Sequence, residues 1–311
     1  MYPIDKKRIW VAGHNGMVGR AVVRALEQRD CEILTANRQT VDLLRQDQVE
    51  DWMAESKPDA VIVCAAKVGG IHANSLYPAD FIYNNLMIEA NIIQAAFQQK
   101  TEKLIFLGSS CIYPKFADQP ITEDALLSGS LEPSNEWYAL AKIAGIKLCQ
   151  AYRKQHGCDF ISAMPTNLYG PFDNFDLQTS HVIPALMRKA HEAKMASAST
   201  MEIWGSGQVK REFLHVDDCA AGIVFLLEHY SDDEHVNLGT GEDLTIQDLA
   251  MLIKDATGFE GEFAFNADYP DGTPRKVLDV SKINGMGWTH RHDLAQGLKE
   301  TYEWFLENQA E

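Results

Sequence analysis

Short apolar runs recur through the first half of the chain, separated by longer segments with helical spacing of apolar residues. The runs lie at residues 8–12, 31–36, 59–64, 103–108 and 159–164, and helical patterns extend to about residue 29 and over 78–100 and 136–156. Strands that are apolar almost throughout are typical of a parallel sheet covered by helices on both faces. The pattern therefore predicts an α/β fold built on a doubly wound parallel sheet.

This alternation stops after residues 165–171. Beyond them we predict a helix opening near 180–184, a short strand and turn at 201–207 and a helix over 217–230 that returns to the first lobe. A strand and turn at 236–241 and helices over 245–257 and 292–308 follow. We therefore predict a larger domain formed by residues 1–170 plus about 214–241, and a smaller C-terminal α/β domain formed by about 171–213 plus 242–311.

Composition narrows the range of partners. The 311 residues are 46% hydrophobic and 23% charged, as in a globular protein, and the formal net charge is −16. This acidity disfavours nucleic acid and anionic membranes as general partners. An anionic substrate would need a local basic pocket, for which the candidates are Arg188, Lys189, Lys210, Arg211, Arg275 and Lys276.

The six cysteines form neither a Cys-x-x-Cys pair nor a zinc-type pattern with histidine, so no metal site is predicted. Reduced cysteines fit a cytoplasmic protein. The short, charged segment before the first strand has no signal-peptide core, and no apolar run approaches membrane-spanning length.

A glycine-rich turn joins the first predicted strand to the first predicted helix. Gly13, Gly16 and Gly19 have the spacing Gly-x-x-Gly-x-x-Gly. Glycines there allow a tight turn and close approach of a pyrophosphate, which the helix N-terminus then binds. In this context the turn indicates a Rossmann-type dinucleotide domain, although a glycine-rich packing turn is the alternative.

The end of the second predicted strand bears on the choice of cofactor. Arg38 lies where proteins that use NAD usually carry an acid, and an arginine suits the 2′-phosphate of NADP. A solvated loop arginine is the alternative. Asp42 and Leu43 follow and are placed to meet the adenine.

Tyr138 and Lys142 are four residues apart on the predicted helix 136–156 and therefore share one face. An ammonium near a phenol favours the phenolate, which predicts a tyrosine pKa below its usual value of about 10. Such a tyrosine exchanges a proton with a carbonyl oxygen near neutral pH. A surface tyrosine beside a solvated lysine is the alternative.

Ser109, Ser110 and Cys111 follow a predicted buried strand, and ligands in such folds bind beyond the carboxyl ends of the strands. A serine there can hydrogen-bond a substrate carbonyl, and a thiol can exchange protons with carbon. The pattern alone leaves Cys111 equally open to a role as a small buried filler. His181 titrates near neutrality, but a histidine at a helix start is more often a capping or packing residue.

Taken together, these features resemble the extended short-chain dehydrogenase/reductase superfamily and, within it, the GDP-L-fucose synthase family. The resemblance runs nearly end to end. Its most specific segments are residues 65–71, 108–114, 165–171, 180–184 and 211–218.

The resemblance implies a bifunctional NADPH-dependent 3,5-epimerase/4-reductase that converts GDP-4-keto-6-deoxy-D-mannose to GDP-L-fucose. It implies that Tyr138 donates a proton to the C4 oxygen, that Lys142 assists it and holds the nicotinamide ribose, and that Ser109 hydrogen-bonds the same oxygen. Cys111 and His181 match the acid/base pair of the epimerisations.

Other positions are carried over in the same way. The implied NADP(H)-binding residues are Gly13, Asn15, Gly16, Met17, Val18, Gly19, Arg38, Asp42, Leu43, Leu107, Gly108, Ser109, Ser110, Lys142, Pro165, Thr166, Asn167, Leu168 and His181. The implied substrate-binding residues are Lys189, Trp204, Arg211 and Asp271. Asn15 stands where an arginine near the 2′-phosphate is expected, so the preference for NADP rests mainly on Arg38. Lys189 also replaces an expected arginine; it keeps the charge but loses the bidentate geometry of a guanidinium.

Three other functions remain as alternatives. A GDP-L-colitose synthase type would act on the 3-deoxy ketosugar and invert only C5. A UDP-sugar 4-epimerase would recycle its NAD, but Arg38 and residues 109–111 argue against it. A non-catalytic nucleotide-sensing regulator is the third, although such proteins tend to lose the tyrosine or the lysine. The resemblance also implies a homodimer formed through the helices near 78–100 and 136–156.

Overall fold

A computed structural model describes residues 1–269 and 271–309 and contains a six-stranded, all-parallel sheet at its centre. The strands are β1 (Arg8–Ala12), β2 (Glu32–Leu34), β3 (Ala60–Val63), β4 (Lys103–Leu107), β5 (Asp159–Pro165), β6 (Asn167–Tyr169), β7 (Thr200–Trp204), β8 (Lys210–Arg211), β9 (Phe213–His215), β10 (Val236–Leu238), β11 (Leu244–Thr245), β12 (Glu262–Asn266) and β13 (Arg275–Lys276). The order across the large sheet is β2-β1-β3-β4-β5-β10. This confirms the predicted Rossmann-type α/β fold.

The strand order reverses between β1 and β3, which pair with each other at the middle of the sheet. All residues of β3 and β4 are buried, as the uniformly apolar runs predicted. In open α/β sheets, ligands bind beyond the carboxyl ends of the strands at such a reversal. The fold therefore directs attention to the loops after β1, β3 and β4.

The helices in the described residues are α1 (Met17–Leu26), α2 (Gln46–Ser56), α3 (Ile71–Leu76), α4 (Pro78–Gln98), α5 (Glu136–His156), α6 (Val182–Met195), α7 (Val216–His229), α8 (Ile246–Thr257), α9 (Ser281–Gly285) and α10 (Leu294–Asn308). Two groups of them flank the large sheet. Helix α1 packs against α7, and α4 packs against both α2 and α5. The α4–α5 contact is extensive, so the helix that carries Tyr138 and Lys142 is supported along its length.

The predicted elements match closely where burial is uniform and less well elsewhere. Helix α5 has the predicted bounds and ends at Gly157, whose φ of 72° is the left-handed value expected of a helix-ending glycine. Strand β2 is shorter than predicted, with an intermediate or exposed burial pattern. Helix α2 and strand β12 were not predicted, because their residues mix polar and apolar side chains without a strong period.

Two buried apolar clusters underlie the domain organisation. One surrounds the large sheet, and the other gathers α6, α8, α10 and β7. On this basis we propose the division stated above, with one amendment: Leu278, Val280 and Trp288 pack into the first cluster. Residues 270, 310 and 311 of the predicted second domain lie outside the described residues.

A fully buried glutamate ties the lobes together. Oε1 of Glu212 accepts hydrogen bonds from the backbone N–H groups of Thr240 (2.6 Å) and Gly241 (2.8 Å), and Oε2 accepts one from Leu278 (2.9 Å). A Cβ on Gly239 would lie 2.2 Å from Oε1, so glycine makes room for the carboxylate. Glu212 thus joins the β8–β9 junction, the turn after β10 and the segment before α9.

None of the helices in the described part of the chain combines the length and hydropathy needed to cross a membrane.

Candidate active site

The glycine turn after β1 lies at the reversal of strand order. Gly13 has a φ of +90°, and a Cβ there would lie 2.6 Å from the backbone N of Ala65, at the end of β3. A Cβ on Gly19 would lie 2.2 Å from the carbonyl oxygen of Gly13. Both positions therefore exclude side chains, and α1 begins directly behind the turn.

The start of α1 suits an anion. Gly16 is the N-cap residue and provides no side-chain cap, so the N–H groups of Met17 and Val18 have no capping partner from it. Unpaired N–H groups at a helix N-terminus bind phosphate. Asn15 has an exposed side chain, and its carbonyl oxygen accepts a hydrogen bond from Nε of Arg20 at 3.0 Å. The turn thus fits the pyrophosphate of a dinucleotide.

Arg38 lies in the exposed turn after β2, which the side chain of Asn37 stabilises by accepting N–H bonds from Gln39 and Thr40. Within residues 1–269 and 271–309, no carboxylate lies within 4.0 Å of Arg38. Its guanidinium is therefore available to a phosphate.

Asp42 and Leu43 lie further along the same loop and are partly buried. Oδ1 of Asp42 accepts a hydrogen bond from the N–H of Leu44 (3.0 Å), and the carbonyl oxygen of Leu43 accepts one from Nδ2 of Asn91 (2.9 Å). These contacts fix the loop beside Arg38.

The end of β4 carries a tightly packed turn. Leu107 completes the strand and Gly108 follows it; a Cβ on Gly108 would lie 2.3 Å from the sulfur of Met164. Ser109 then caps a short 3-10 turn over Ser110–Ile112, and its Oγ accepts the N–H of Cys111 at 3.4 Å. Ser110 and Cys111 are buried and Ser109 is half-buried. Only Ser109 of the three presents substantial exposed surface.

Tyr138 and Lys142 lie on one face of α5, as their spacing predicted. Nζ of Lys142 lies 5.9 Å from the centroid of the Tyr138 ring and 4.5 Å from that of Phe106, and it donates to the carbonyl oxygen of Leu107 at 2.9 Å. Phe81 packs edge-on against Tyr138, with 6.3 Å between ring centroids. The lysine is thereby tied to the same strand end that carries Ser109.

The expected direction of the Tyr138 pKa is wrong. Burial raises the pKa of Tyr138 well above its usual value, and Cys111 and Glu89 add to the rise. The loss of hydration outweighs the charge of Lys142, because Lys142 is itself buried and burial lowers its pKa. Tyr138 is therefore a protonated phenol at neutral pH, which is the form that donates a proton.

The charges of two lysines, Lys276 and Lys142, influence the buried thiol of Cys111. Burial raises the pKa of its thiol, while the ammonium of Lys276, on β13, opposes this rise. The sequence marked Lys276 only as one of several basic candidates. Its neighbour Arg275 instead forms an ion pair with Asp243, with 2.5 Å between Nε and Oδ2.

His181 is the N-cap residue of α6 and provides no side-chain cap to the helix. His181 is exposed in this structure, although neighbouring groups desolvate its ring enough to lower its pKa below the usual histidine value. The preceding Ser180 packs on the loop after β3: a Cβ on Gly70 would lie 2.6 Å from the Ser180 carbonyl oxygen. The same loop reaches Phe81 through Gly69, and Phe81 contacts Tyr138.

The segment Pro165 to Leu168 links the two lobes. The N–H of Thr166 donates to the carbonyl oxygen of Leu238 at 3.0 Å, and Nδ2 of Asn167 donates to the carbonyl oxygen of Glu212 at 2.8 Å. Pro165 ends β5, beside β4 in the sheet. The segment is thus held at the sheet edge that carries the other predicted cofactor residues.

Lys189 and Trp204 meet on the second lobe. Nζ of Lys189 lies 4.5 Å from the centroid of a Trp204 ring, a cation–π distance. Tyr269 stacks on Trp204 with 4.3 Å between ring centroids and 8° between planes. Trp204 is 49% exposed, so aromatic surface remains free to stack on a base or ring. The sequence did not identify Tyr269.

Arg211 and Asp271 form a second polar pair. Nη2 of Arg211 donates to the carbonyl oxygen of Asp271 at 3.4 Å, and Oδ1 of Asp271 accepts the N–H of Ser206 at 2.7 Å. The charge of Arg211 lowers the pKa of Lys276, which is also influenced by Cys111. Arg211, Lys276 and Cys111 are therefore near one another. A diphosphate is the ligand that suits such a group of cations.

Residues 9–239 match the family model described as the NAD dependent epimerase/dehydratase family. The chain belongs to this family.

Within the family, the chain is 58% identical to GDP-L-fucose synthase from Sinorhizobium fredii (strain NBRC 101917 / NGR234), over 100% of this chain and 99% of the relative. It is 53% identical to GDP-L-fucose synthase from Escherichia coli (strain K12), over 98% of both chains. A solved GDP-L-fucose synthetase from Naegleria fowleri, bound to NADP, is 30% identical and superimposes with a TM-score of 0.92, covering 99% of this chain and 96% of that one.

More distant family members differ in their sugars. A GDP-L-colitose synthase from Yersinia pseudotuberculosis is 36% identical over 96% of this chain and 98% of the relative. The family likeness thus extends beyond one sugar.

Two histidines and a glutamate lie close together and have the composition of a metal site, but not its geometry. Atoms of His215, His292 and Glu300 lie within 4.8 Å of one another. The two rings stack 4.1 Å apart, and Nδ1 of His215 accepts the N–H of Asp217 at 3.3 Å. Stacked rings direct their in-plane lone pairs away from a common ion, so this geometry does not favour a metal.

Proposed function

We propose that the protein is an NADPH-dependent 3,5-epimerase/4-reductase that converts GDP-4-keto-6-deoxy-D-mannose to GDP-L-fucose. The proposal rests on one arrangement: Lys142, one helical turn from Tyr138, donates to the carbonyl oxygen of Leu107. The same strand end continues into the turn that carries Ser109 and Cys111. Identities of 53% and 58% to GDP-L-fucose synthases support the choice of substrate.

The C4 ketone makes the chemistry possible, because it acidifies the hydrogens on C3 and C5. Removal of either proton yields an enolate whose charge lies on the C4 oxygen. Ser109 and Tyr138 would hydrogen-bond that oxygen and stabilise its charge. The raised pKa of Tyr138 keeps this donor protonated.

Cys111 and His181 are the proposed acid/base pair. The raised thiol pKa and the lowered imidazole pKa favour a thiol and a neutral imidazole at neutral pH. The hypothesis that Cys111 takes protons and His181 returns them therefore requires one proton to move from sulfur to imidazole before the first inversion. Lys276 assists, because its charge lowers the pKa of Cys111.

Reduction completes the sequence, with bound NADPH supplying hydride to C4. The glycine turn and the N–H groups of Met17 and Val18 would hold the pyrophosphate, and Arg38 the 2′-phosphate. Lys142 would hold the nicotinamide ribose. Tyr138 then gives its proton to the C4 oxygen.

The test is incubation with GDP-4-keto-6-deoxy-D-mannose and NADPH in D₂O, with product identification by NMR. We expect NADPH loss, GDP-L-fucose, and deuterium at C3 and C5. Cys111→Ser should abolish deuterium incorporation without weakening NADPH binding, and Tyr138→Phe should lower the rate of reduction by about 10²–10⁴-fold. Full epimerisation by Cys111→Ser would refute its assignment.

The runner-up is a 5-epimerase/4-reductase of the colitose type, favoured by the 36% identical relative. Turnover of the 3-deoxy ketosugar, with none of the 6-deoxy compound, would establish it. Deuterium incorporation without NADPH loss would instead indicate an epimerase that lacks the reductive step.

We further propose that the protein is a homodimer formed through α4 and α5. Tyr83 on α4 and Trp137 and Leu140 on α5 are 59%, 40% and 41% exposed, an apolar face that a second copy would cover. Light scattering should give the mass of a dimer, and Leu140→Glu with Tyr83→Glu should give a monomer. An unchanged mass in the double variant would exclude this interface.

A cytoplasmic location is the last part of the proposal. All six cysteines are free, as expected in a reducing compartment. Cell fractionation with compartment markers tests it, and recovery outside the cytoplasm would overturn it.

A further inference from the structure

An unpartnered carboxyl lies behind the proposed catalytic helix. Glu89, on α4, is 2% exposed, and both of its carboxyl oxygens are buried without a hydrogen-bond partner in the described part of the chain. Buried carboxyls without partners are costly, and proteins rarely keep one without a role. None of the chemistry above uses Glu89.

A glycine on the catalytic helix makes room for this carboxyl. Gly145 follows Lys142 by three residues on α5, so the two share a face. A Cβ on Gly145 would lie 2.9 Å from Oε2 of Glu89 and 2.4 Å from Cζ of Phe106. Glycine weakens a helix interior by about 1 kcal/mol relative to alanine, so the helix sacrifices stability at this point.

Phe106 connects the carboxyl to the lysine, since Nζ of Lys142 lies 4.5 Å from its ring centroid. Across residues 1–269 and 271–309, Lys142 has no carboxylate within 4.0 Å. The titratable groups that face it are Glu89 from α4, Cys111 from the 3-10 turn, Cys64 from the end of β3, and Tyr138 on its own helix. Cys149, also on α5, faces Glu89. Among these groups, Glu89 is the one whose ionised form carries a carboxylate charge that can stabilise the ammonium of Lys142.

We propose that Glu89 is a positioning residue for the reductive step: its carboxyl, seated against Gly145, keeps Lys142 charged in alkaline solution within an otherwise apolar layer. The inference rests on the proposed function, since it acts through the lysine assigned to the nicotinamide ribose. On this proposal, a carboxyl of the first lobe sets the upper limit of the pH range in which the enzyme is active.

The charges support this direction. Burial raises the pKa of Glu89 to about 8, and the charge of Lys142 opposes the rise most strongly, followed by the nearby backbone N–H of Gly145. Burial lowers the pKa of Lys142, and Glu89 is the strongest group opposing that fall. As the pH rises through about 8, Glu89 ionises, and its charge then favours the ammonium of Lys142, whose pKa burial lowers.

The experiment compares wild type with Glu89→Gln and Glu89→Met, the second of which leaves no unpartnered polar group. Glu307→Gln on exposed α10 repeats the chemical change far away. The kcat for NADPH oxidation and the Kd for NADPH are measured from pH 6.5 to 9.5, together with thermal unfolding. Glu89→Asp tests rescue by a retained charge.

We expect the alkaline limb of kcat to move down by about one pH unit in both neutral variants, giving about tenfold lower kcat at pH 9. NADPH binding should weaken over the same range, and Glu89→Asp should restore part of the limb. The Tm at pH 8 should rise by about 3 °C or more, because the cost of a buried charge is removed.

Alkaline limbs that coincide with wild type, or an equal loss of kcat at every pH with a lower Tm, would overturn the proposal and leave Glu89 a structural residue. A wild-type protein that binds NADPH but does not oxidise it with the ketosugar would refute the proposed function. The pH dependence of NADPH binding would still decide the role of Glu89 in that case.

Discussion

Glu212 and Glu89 are both buried glutamates faced by a glycine, yet their surroundings differ. Glu212 lies between the lobes and receives three backbone N–H groups within 2.9 Å. Glu89 lies between α4 and α5 with no hydrogen-bond partner in the described chain, and the charge of Lys142 is the largest influence opposing its desolvation. Burial raises both pKa values, but at Glu212 several hydrogen bonds oppose the rise.

The difference distinguishes a carboxyl that stabilises the fold from one that the fold tolerates. A buried carboxylate that accepts backbone N–H groups stabilises the fold, because each of those N–H groups loses its hydrogen-bond partner if the carboxylate is removed. A carboxyl without donors stabilises nothing locally, so its retention indicates an effect on a neighbouring group. The following predictions test this contrast, from the largest expected effect to the smallest.

Glu212→Ala should lower the free energy of unfolding by about 3 kcal/mol, because three backbone N–H groups, among them that of buried Leu278, lose their acceptor. Urea denaturation measures the loss. Glu242→Ala, at an exposed position in the same loop, is the control and should change stability by less than about 0.5 kcal/mol. A loss below about 1 kcal/mol for Glu212→Ala would remove the distinction between the two glutamates.

Gly239→Ala should cost about 2–3 kcal/mol. Its Cβ would lie 2.2 Å from Oε1 of Glu212, and the hydrogen bonds hold that oxygen in place. Denaturation of Gly239→Ala in the Glu212→Ala background checks the mechanism, since the penalty should shrink once the carboxylate is gone. A penalty that stays the same there would place the clash elsewhere.

Replacement by glutamine should change stability in opposite directions at the two sites. The folded pKa of Glu89, about 8, lies above the unfolded value of 4.5, so its contribution to stability is full below pH 4.5 and is lost as the pH rises to about 8. Glu89→Gln should therefore be about 1–2 kcal/mol more stable than wild type at pH 8, with little difference near pH 4.5. The pKa of Glu212 is also raised, but Glu212→Gln should be less stable than wild type at pH 8, because the amide NH2 cannot accept the backbone N–H that a carboxylate oxygen accepts. Unfolding curves at both pH values show whether the signs are opposite.

Gly145→Ala should have the smallest effect on stability, about 1 kcal/mol. Overpacking against Phe106 and Glu89 outweighs the better helix propensity of alanine. Gly285→Ala in α9, where a Cβ meets nothing within 4 Å, is the matched control and should be neutral or stabilising. If Gly145→Ala is as well tolerated as the control, the carboxyl does not depend on that space.

Local patterns predicted the elements that depend on neighbouring residues. The apolar runs predicted β1, β3 and β4 because each is buried almost throughout, and the four-residue spacing of Tyr138 and Lys142 placed both on one face of α5. The glycine spacing predicted the turn after β1. Each of these features follows from backbone geometry over a few residues.

Contacts between distant segments escaped prediction. Lys276 acts on Cys111 from far along the chain, and Tyr269 stacks on Trp204 after a long separation in sequence. Glu89 gave one signal, an acid within the apolar stretch 86–93, but a helix surface explains such an acid equally well. Its burial became evident only from the packing of α4 on α5.

The sequence by itself therefore determined the parallel sheet, the dinucleotide turn and the residue types at the site, since spacing along the chain encodes them. Only the tertiary structure decided which charges are buried and what they face. The pKa of Tyr138 shows why: Lys142 lies one helical turn away as predicted, but burial removes the hydration that a phenolate needs. Hydration depends on every segment that packs over a group, and no local pattern contains that information.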